Sequence, residues 1–110
     1  MTQKRKSKYA LPLTVVKIVE ATCADYWRRE KALRNGNIDI TIRAEYTRLN
    51  SIIESAMADI DEAVRAQLLS DVGNVVGYKW SPLSMCMSAS YYYKLKRSVV
   101  RGVAEKLSLL

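Results

Sequence analysis

Apolar residues return at three- and four-residue steps through most of this chain, a spacing that suits helices and not strands. The last segment shows it best. With Tyr92 set at zero and an advance of about 100° per residue, Leu95, Val99 and Val103 fall close to zero, with Leu107 at their flank. Ser90, Lys94, Arg97 and Arg101 gather around the opposite pole, with Tyr93 to one side of it. Lys96 lies near the apolar side, where its stem could cover the core edge while the ammonium stays in water. Only four glycines and two prolines interrupt the 110 residues, too few for the turns of a sheet sandwich. The expected fold is all-α: an N-terminal antiparallel helical hairpin followed by a C-terminal helix-turn-helix with a long basic last helix. A chain of this length forms one domain with one modest core.

Three parts are expected: a basic arm over 1–12, the hairpin over 13–60, and the helix-turn-helix portion over 61–110. Pro12 marks the entry to a first long helix capped by Thr14, with Val15, Val19, Thr22, Tyr26 and Leu33 on its inner face. Asn35-Gly36 ends it, the glycine supplying a left-handed C-terminal cap. A second helix starts at Asn37 or Asp39 and runs to about Ala58, burying Ile42, Tyr46, Leu49, Ile53, Ala56 and Ile60. The link between the two is short, so they should lie antiparallel. In Tyr26-Trp27-Arg28-Arg29 the aromatics pack in the hairpin and the arginines are solvated; Trp27 lies off the main stripe and is the candidate for self-association.

Acids at Asp59, Asp61 and Glu62 suit the positive end of a third helix, from about Glu62 to Val76, with Val64, Leu68, Val72 and Val75 inward and Gly77 at its end. Gly73 costs that helix stability unless it permits a close approach. Ser81-Pro82 starts a short helix over Pro82–Cys86, and Ser88 caps the last one.

Charge is unevenly spread. The net +7 resides at the two ends: residues 1–8 and 88–110 each carry +4, while the 79 between them hold nine bases and ten acids. A basic arm and a basic helix point to a polyanionic partner, and such arms can order on nucleic acid. Histidine is absent, which removes the commonest general base and metal ligand. No glycine-rich phosphate loop or carboxylate cluster replaces it, so the chain reads as a non-enzyme without catalytic residues, metal or cofactor. Cys23 and Cys86 have no metal spacing and read as reduced core residues. No apolar run approaches the roughly 18 residues of a membrane span, which places the protein in a cytoplasm.

A helix that reads DNA presents its first turns to the groove and its cations to the flanking phosphates. Ala89, Ser90 and Tyr93 are the candidates for base contacts, Lys94 suits either task, and Arg97 and Arg101 suit phosphates or a guanine edge. The segment Gly77-Tyr78 … Met87-Ser88-Ala89-Ser90-Tyr91-Tyr92-Tyr93-Lys94-Leu95-Lys96-Arg97 … Ala104-Glu105-Lys106-Leu107 resembles the C-terminal helix-turn-helix of the RinA/ArpU-type phage transcriptional regulators, itself similar to the fourth region of sigma factors. That resemblance implies a phage or prophage regulator in a bacterial host cytoplasm. It makes double-stranded DNA the partner, with RNA polymerase and a second copy of the chain as further candidates. It also implies Ser88 as cap, Tyr92 and Leu95 as packing residues, and Tyr93, Lys94 and Arg97 as DNA-facing. Two other classes fit the same pattern: a DNA-packaging component such as a small terminase subunit, and a structural helical interaction module.

Overall fold

The computed structural model describes residues 9–110, and the basic segment read at 1–8 lies outside them. The described residues are helical and contain no strand: α1 (Leu13–Ala24), α2 (Tyr26–Asn35), α3 (Ile40–Ala56), α4 (Glu62–Gly73) and α5 (Ala89–Lys106), with two 3-10 turns at Tyr78–Trp80 and Pro82–Met85. The all-α expectation holds. None of the described helices is long and apolar enough to cross a membrane.

Local signals account for most of the helix ends. Asp39 accepts from the Thr41 amide and Asp61 from the Ala63 amide, so each satisfies one of the orphan donors of its helix. Gly36 takes φ 77° after α2, the left-handed cap for which a side chain would be strained. Thr14 does not cap α1; the helix begins one residue earlier, directly after Pro12.

The single first helix expected over 14–35 is two. It bends at Asp25, which has φ −91° and ψ 1°. The Asp25 carboxylate binds Arg28, with contacts of 2.6 and 2.5 Å, and that pairing holds the carboxyl below its ordinary pKa. Arg29 completes the bend from inside. Its Nη2 donates at 2.6 Å to the Thr22 carbonyl, the acceptor a continuous helix would have offered to the Tyr26 amide. Its Nε donates at 2.7 Å to Asn50 Oδ1. Arg29 is therefore buried, not solvated.

The bend gives the two halves different partners. α1 turns Val16, Val19 and Cys23 inward and packs on α4 and α5. Burial pushes the Cys23 thiol up to about 12, so it behaves as a small apolar group. Cys86, expected in the core as well, is exposed, because the turn before α5 carries it outward. α2 packs on α3, and the contacts run in opposite senses along the two helices: Arg43 with Leu33, Arg28 with Tyr46, Arg29 with Asn50, and Tyr26 with Glu54. The second half of α3 reaches the core through Ile53. Its first turns do not, and Ile40 and Ile42 are exposed where the stripe predicted burial of Ile42.

Gly73 answers the question its position raised. A Cβ there would meet Ala24 Cα and N at 2.7 Å, so the last turns of α1 and α4 touch backbone to backbone. Gly73→Ala improves helix propensity by about 1 kcal/mol yet forces the two backbones apart. We expect a net loss of roughly 1–3 kcal/mol, read as a lower urea midpoint with an unchanged m-value. α4 then closes at Asn74, earlier than the expected end at Gly77.

Candidate nucleic-acid interface

The candidate surface is the open face of α5, and its stiffness begins with the segment before it. Ser81 caps the Pro82–Met85 turn by accepting from the Leu83 amide at 3.1 Å. The short helix expected over Pro82–Cys86 is this single 3-10 turn. Tyr78 Oη donates to the carbonyls of Ser84 (3.2 Å) and Met87 (2.7 Å), which ties both ends of the segment together. Ser88 then accepts from the Tyr91 amide at 3.2 Å and opens α5.

Beneath α5 lies a buried polar cluster. Asp71 of α4 accepts from Ser81 Oγ, from Tyr92 Oη at 2.8 Å and from Gln67 Nε2 at 2.8 Å. Tyr92 Oη also lies 3.2 Å from the Val76 carbonyl, to which Lys96 Nζ donates at 2.7 Å. The ammonium sits 5.2 Å from the centre of the Tyr92 ring and 5.8 Å from that of Tyr93, an electrostatic attraction to both ring faces. Burial, followed by the Asp71 hydrogen bond, raises the Tyr92 phenol above its ordinary range, so it remains a neutral donor. Lys96 has no exposed surface: it is a core residue, not one that reaches over the core edge. The cluster joins α4, the 76–83 segment and α5 through side chains whose hydrogen bonds fix one orientation of the last helix.

The six sequence candidates fall into three groups. Ser90, Lys94, Arg97 and Arg101 are exposed and share the open side of α5, whereas Ala89, also exposed, stands about 60° from Tyr92 at the start of the helix, off that side. Among the described residues, ion pairs join Arg28 and Arg29 to Asp25 and Arg48 to Glu45, and none involves Lys94, Arg97 or Arg101. Tyr93 is half-buried; its ring stacks edge-on against Tyr92 and its hydroxyl accepts from the Tyr78 amide at 3.1 Å. It shapes the edge of the face more than the face itself.

Sequence reasoning passed over Tyr9. It is buried to 1 % exposure and, with Ser90, Tyr93 and Arg97, lines an open pocket of about 480 Å³ beside the basic face. An aromatic directly after a basic run was the available signal, too short to carry periodicity. Asp71 was also missed, although it stands next to Val72 and one turn from Leu68 on the inner side of α4. Among the described residues no group of acids and cysteines is arranged to hold a metal. No family model matches the chain, and no characterised protein or solved structure shows significant similarity to it.

Proposed function

We propose that the protein is a DNA-binding transcriptional regulator of phage or prophage type, with α5 as its recognition helix and the Pro82–Met85 turn as the element before it. In this reading α2 and α3 form the helical hairpin and α4 carries the polar cluster that sets the angle of α5. One observation carries it: a capped 18-residue helix, oriented by buried hydrogen bonds, displays three exposed cations unpaired among the described residues.

The dimensions agree with that use. An α-helix with its side chains is about 10–12 Å across and the major groove about 12 Å wide. From Ser90 to Arg101 the helix rises by roughly 16 Å at 1.5 Å per residue, enough for several base pairs. Ser90 and Lys94 sit in the first turns, where base edges are within reach, and Arg97 and Arg101 follow toward the phosphates. The resemblance to RinA/ArpU-type regulators, in which the last helix reads DNA, points the same way and is the source of the phage assignment.

The test is the double variant Lys94→Ala, Arg97→Ala, titrated against duplex fragments of the source genome at graded salt. Affinity should fall about 10–100-fold, and the slope of log K against log salt should shrink by about two. Thermal stability should be unchanged, since both side chains are exposed. Unaltered affinity and slope would remove α5 from the interface.

A further inference from the structure

Between Asp71 and Glu105 the sequence holds no acidic residue, while Lys79, Lys94, Lys96, Arg97 and Arg101 all fall in that interval. The interval spans the segment before α5 and nearly all of α5. In that segment Trp80 is 77 % exposed and Met85 91 %, with Pro82 exposed between them. The backbone that carries them is pinned. The Tyr78 amide donates to Tyr93 Oη, and Tyr78 Oη donates to the Ser84 and Met87 carbonyls. Ser81 is buried and bound to Asp71, and Leu83 turns into the core. Bonds made beneath the segment therefore hold the ring and the thioether outward. A large apolar group fixed in water beside a second one marks a contact surface.

Charge indicates what covers it. Lys79 Nζ lies 5.3 Å from the centre of the Trp80 ring, so the indole carries a cation over its face. The helices packed on the two 3-10 turns are α4 and α5. α5 adds the exposed Lys94, Arg97 and Arg101. The acids of α4 are Asp71, which is buried, and Glu62, about 13 Å farther along the helix at 1.5 Å per residue. Four exposed cations without an acid among them suit the phosphates that flank a groove. The position agrees. Trp80 follows Tyr78 by two residues, so its Cα lies no more than roughly 12 Å from Tyr93 Oη, about the width of a major groove.

We propose that Trp80 and Met85 form a second DNA contact beside α5. The indole packs on the sugar and base faces at the rim of the groove that α5 enters, and Lys79 meets the adjoining phosphate. This rests on the reading of α5 as the DNA-facing helix and extends its footprint to the segment before it.

Trp80 can report on its own contact. Trp27→Phe leaves it as the sole tryptophan of the chain and keeps an aromatic ring beside Tyr26. That protein is titrated with a duplex fragment of the source genome, and acrylamide, a neutral quencher, then measures how open the indole remains. Saturation with duplex should lower acrylamide quenching several-fold. Anisotropy titrations between roughly 50 and 200 mM salt separate the ring from the charge. Trp80→Ala should bind about tenfold more weakly with the same salt slope, since a neutral ring neutralises no phosphate. Lys79→Ala should reduce the slope by about 0.9. Both variants should keep the melting temperature of the unaltered chain, because both side chains are exposed.

Three results would overturn the rim contact while Lys94→Ala, Arg97→Ala still loses binding. They are an indole that stays open to acrylamide at saturating duplex, a Trp80→Ala variant of full affinity, and a Lys79→Ala variant of unchanged slope. The apolar pair would then be left to a protein partner and the α5 reading would stand. If the Lys94/Arg97 double variant binds undiminished, or the unaltered protein binds no duplex, the α5 reading fails and takes the rim contact with it.

Discussion

Tyr92→Ala lowers stability by about 4–6 kcal/mol. Emptying the site of a fully buried aromatic costs roughly 3–5 kcal/mol, and the loss of its hydroxyl adds about 1 kcal/mol or more for partners left short of a bond. Tyr92 has no exposed surface, and its hydroxyl meets Asp71 and the Val76 carbonyl. Its ring also packs against those of Tyr78 and Tyr93. For a domain of this size each kcal/mol corresponds to about 4–8 °C in Tm, so the variant should melt at least about 16 °C lower. Tyr92→Phe separates the two contributions: it keeps the ring and should cost only about 1–2 kcal/mol. Circular dichroism melts of the three proteins read the result.

The second large effect belongs to Asp71. Asp71→Ala removes the acceptor shared by Ser81, Gln67 and Tyr92 and the negative charge from a buried cluster that also holds the Lys96 ammonium. Losing that acceptor leaves donors buried and short of a bond, at about 1–3 kcal/mol for each that finds no other partner. Urea unfolding measures it. The cost should be non-additive with Tyr92→Phe: the two changes delete one common hydrogen bond, so the double variant loses less than the sum. The cluster also holds α5 against α4, and at a temperature where Asp71→Ala is still folded its DNA affinity should fall while its salt slope persists. That separates a residue that orients the helix from one that meets phosphate.

Much of the fold was legible because it is written locally. Asp39, Asp61, Ser81 and Ser88 mark helix starts through bonds to their own neighbours and Gly36 marks a helix end through its left-handed φ, and the spacing of Tyr92, Val99 and Val103 marks the inner face of α5. The bend at Asp25 was not legible. No glycine or proline stands there, and beside the local bonds of Arg28 to Asp25 and of Arg29 to Thr22 its support is tertiary: Asn50 on α3 receives Arg29, and α1 is drawn onto α4 through the Ala24–Gly73 contact. Arg29 and Lys96 share another cause. Charge argued for water in both cases, whereas each finds carbonyl acceptors inside, at Thr22 and Val76. For Lys96 the helical angle already lay on the core side of α5, and the angle was the better guide than the charge. Of the candidate site, the exposed cations on α5 follow from periodicity alone. Tyr9 beside Arg97 does not, since nothing in the intervening residues specifies that the two ends meet.

Selection of bound fragments from the source genome by the purified full-length protein, near physiological salt, decides whether α5 reads DNA. A small set of discrete fragments lying beside promoters, lost with Lys94→Ala, Arg97→Ala, is the predicted result. Recovery of no fragment, or of the same fragments by that double variant, would contradict it.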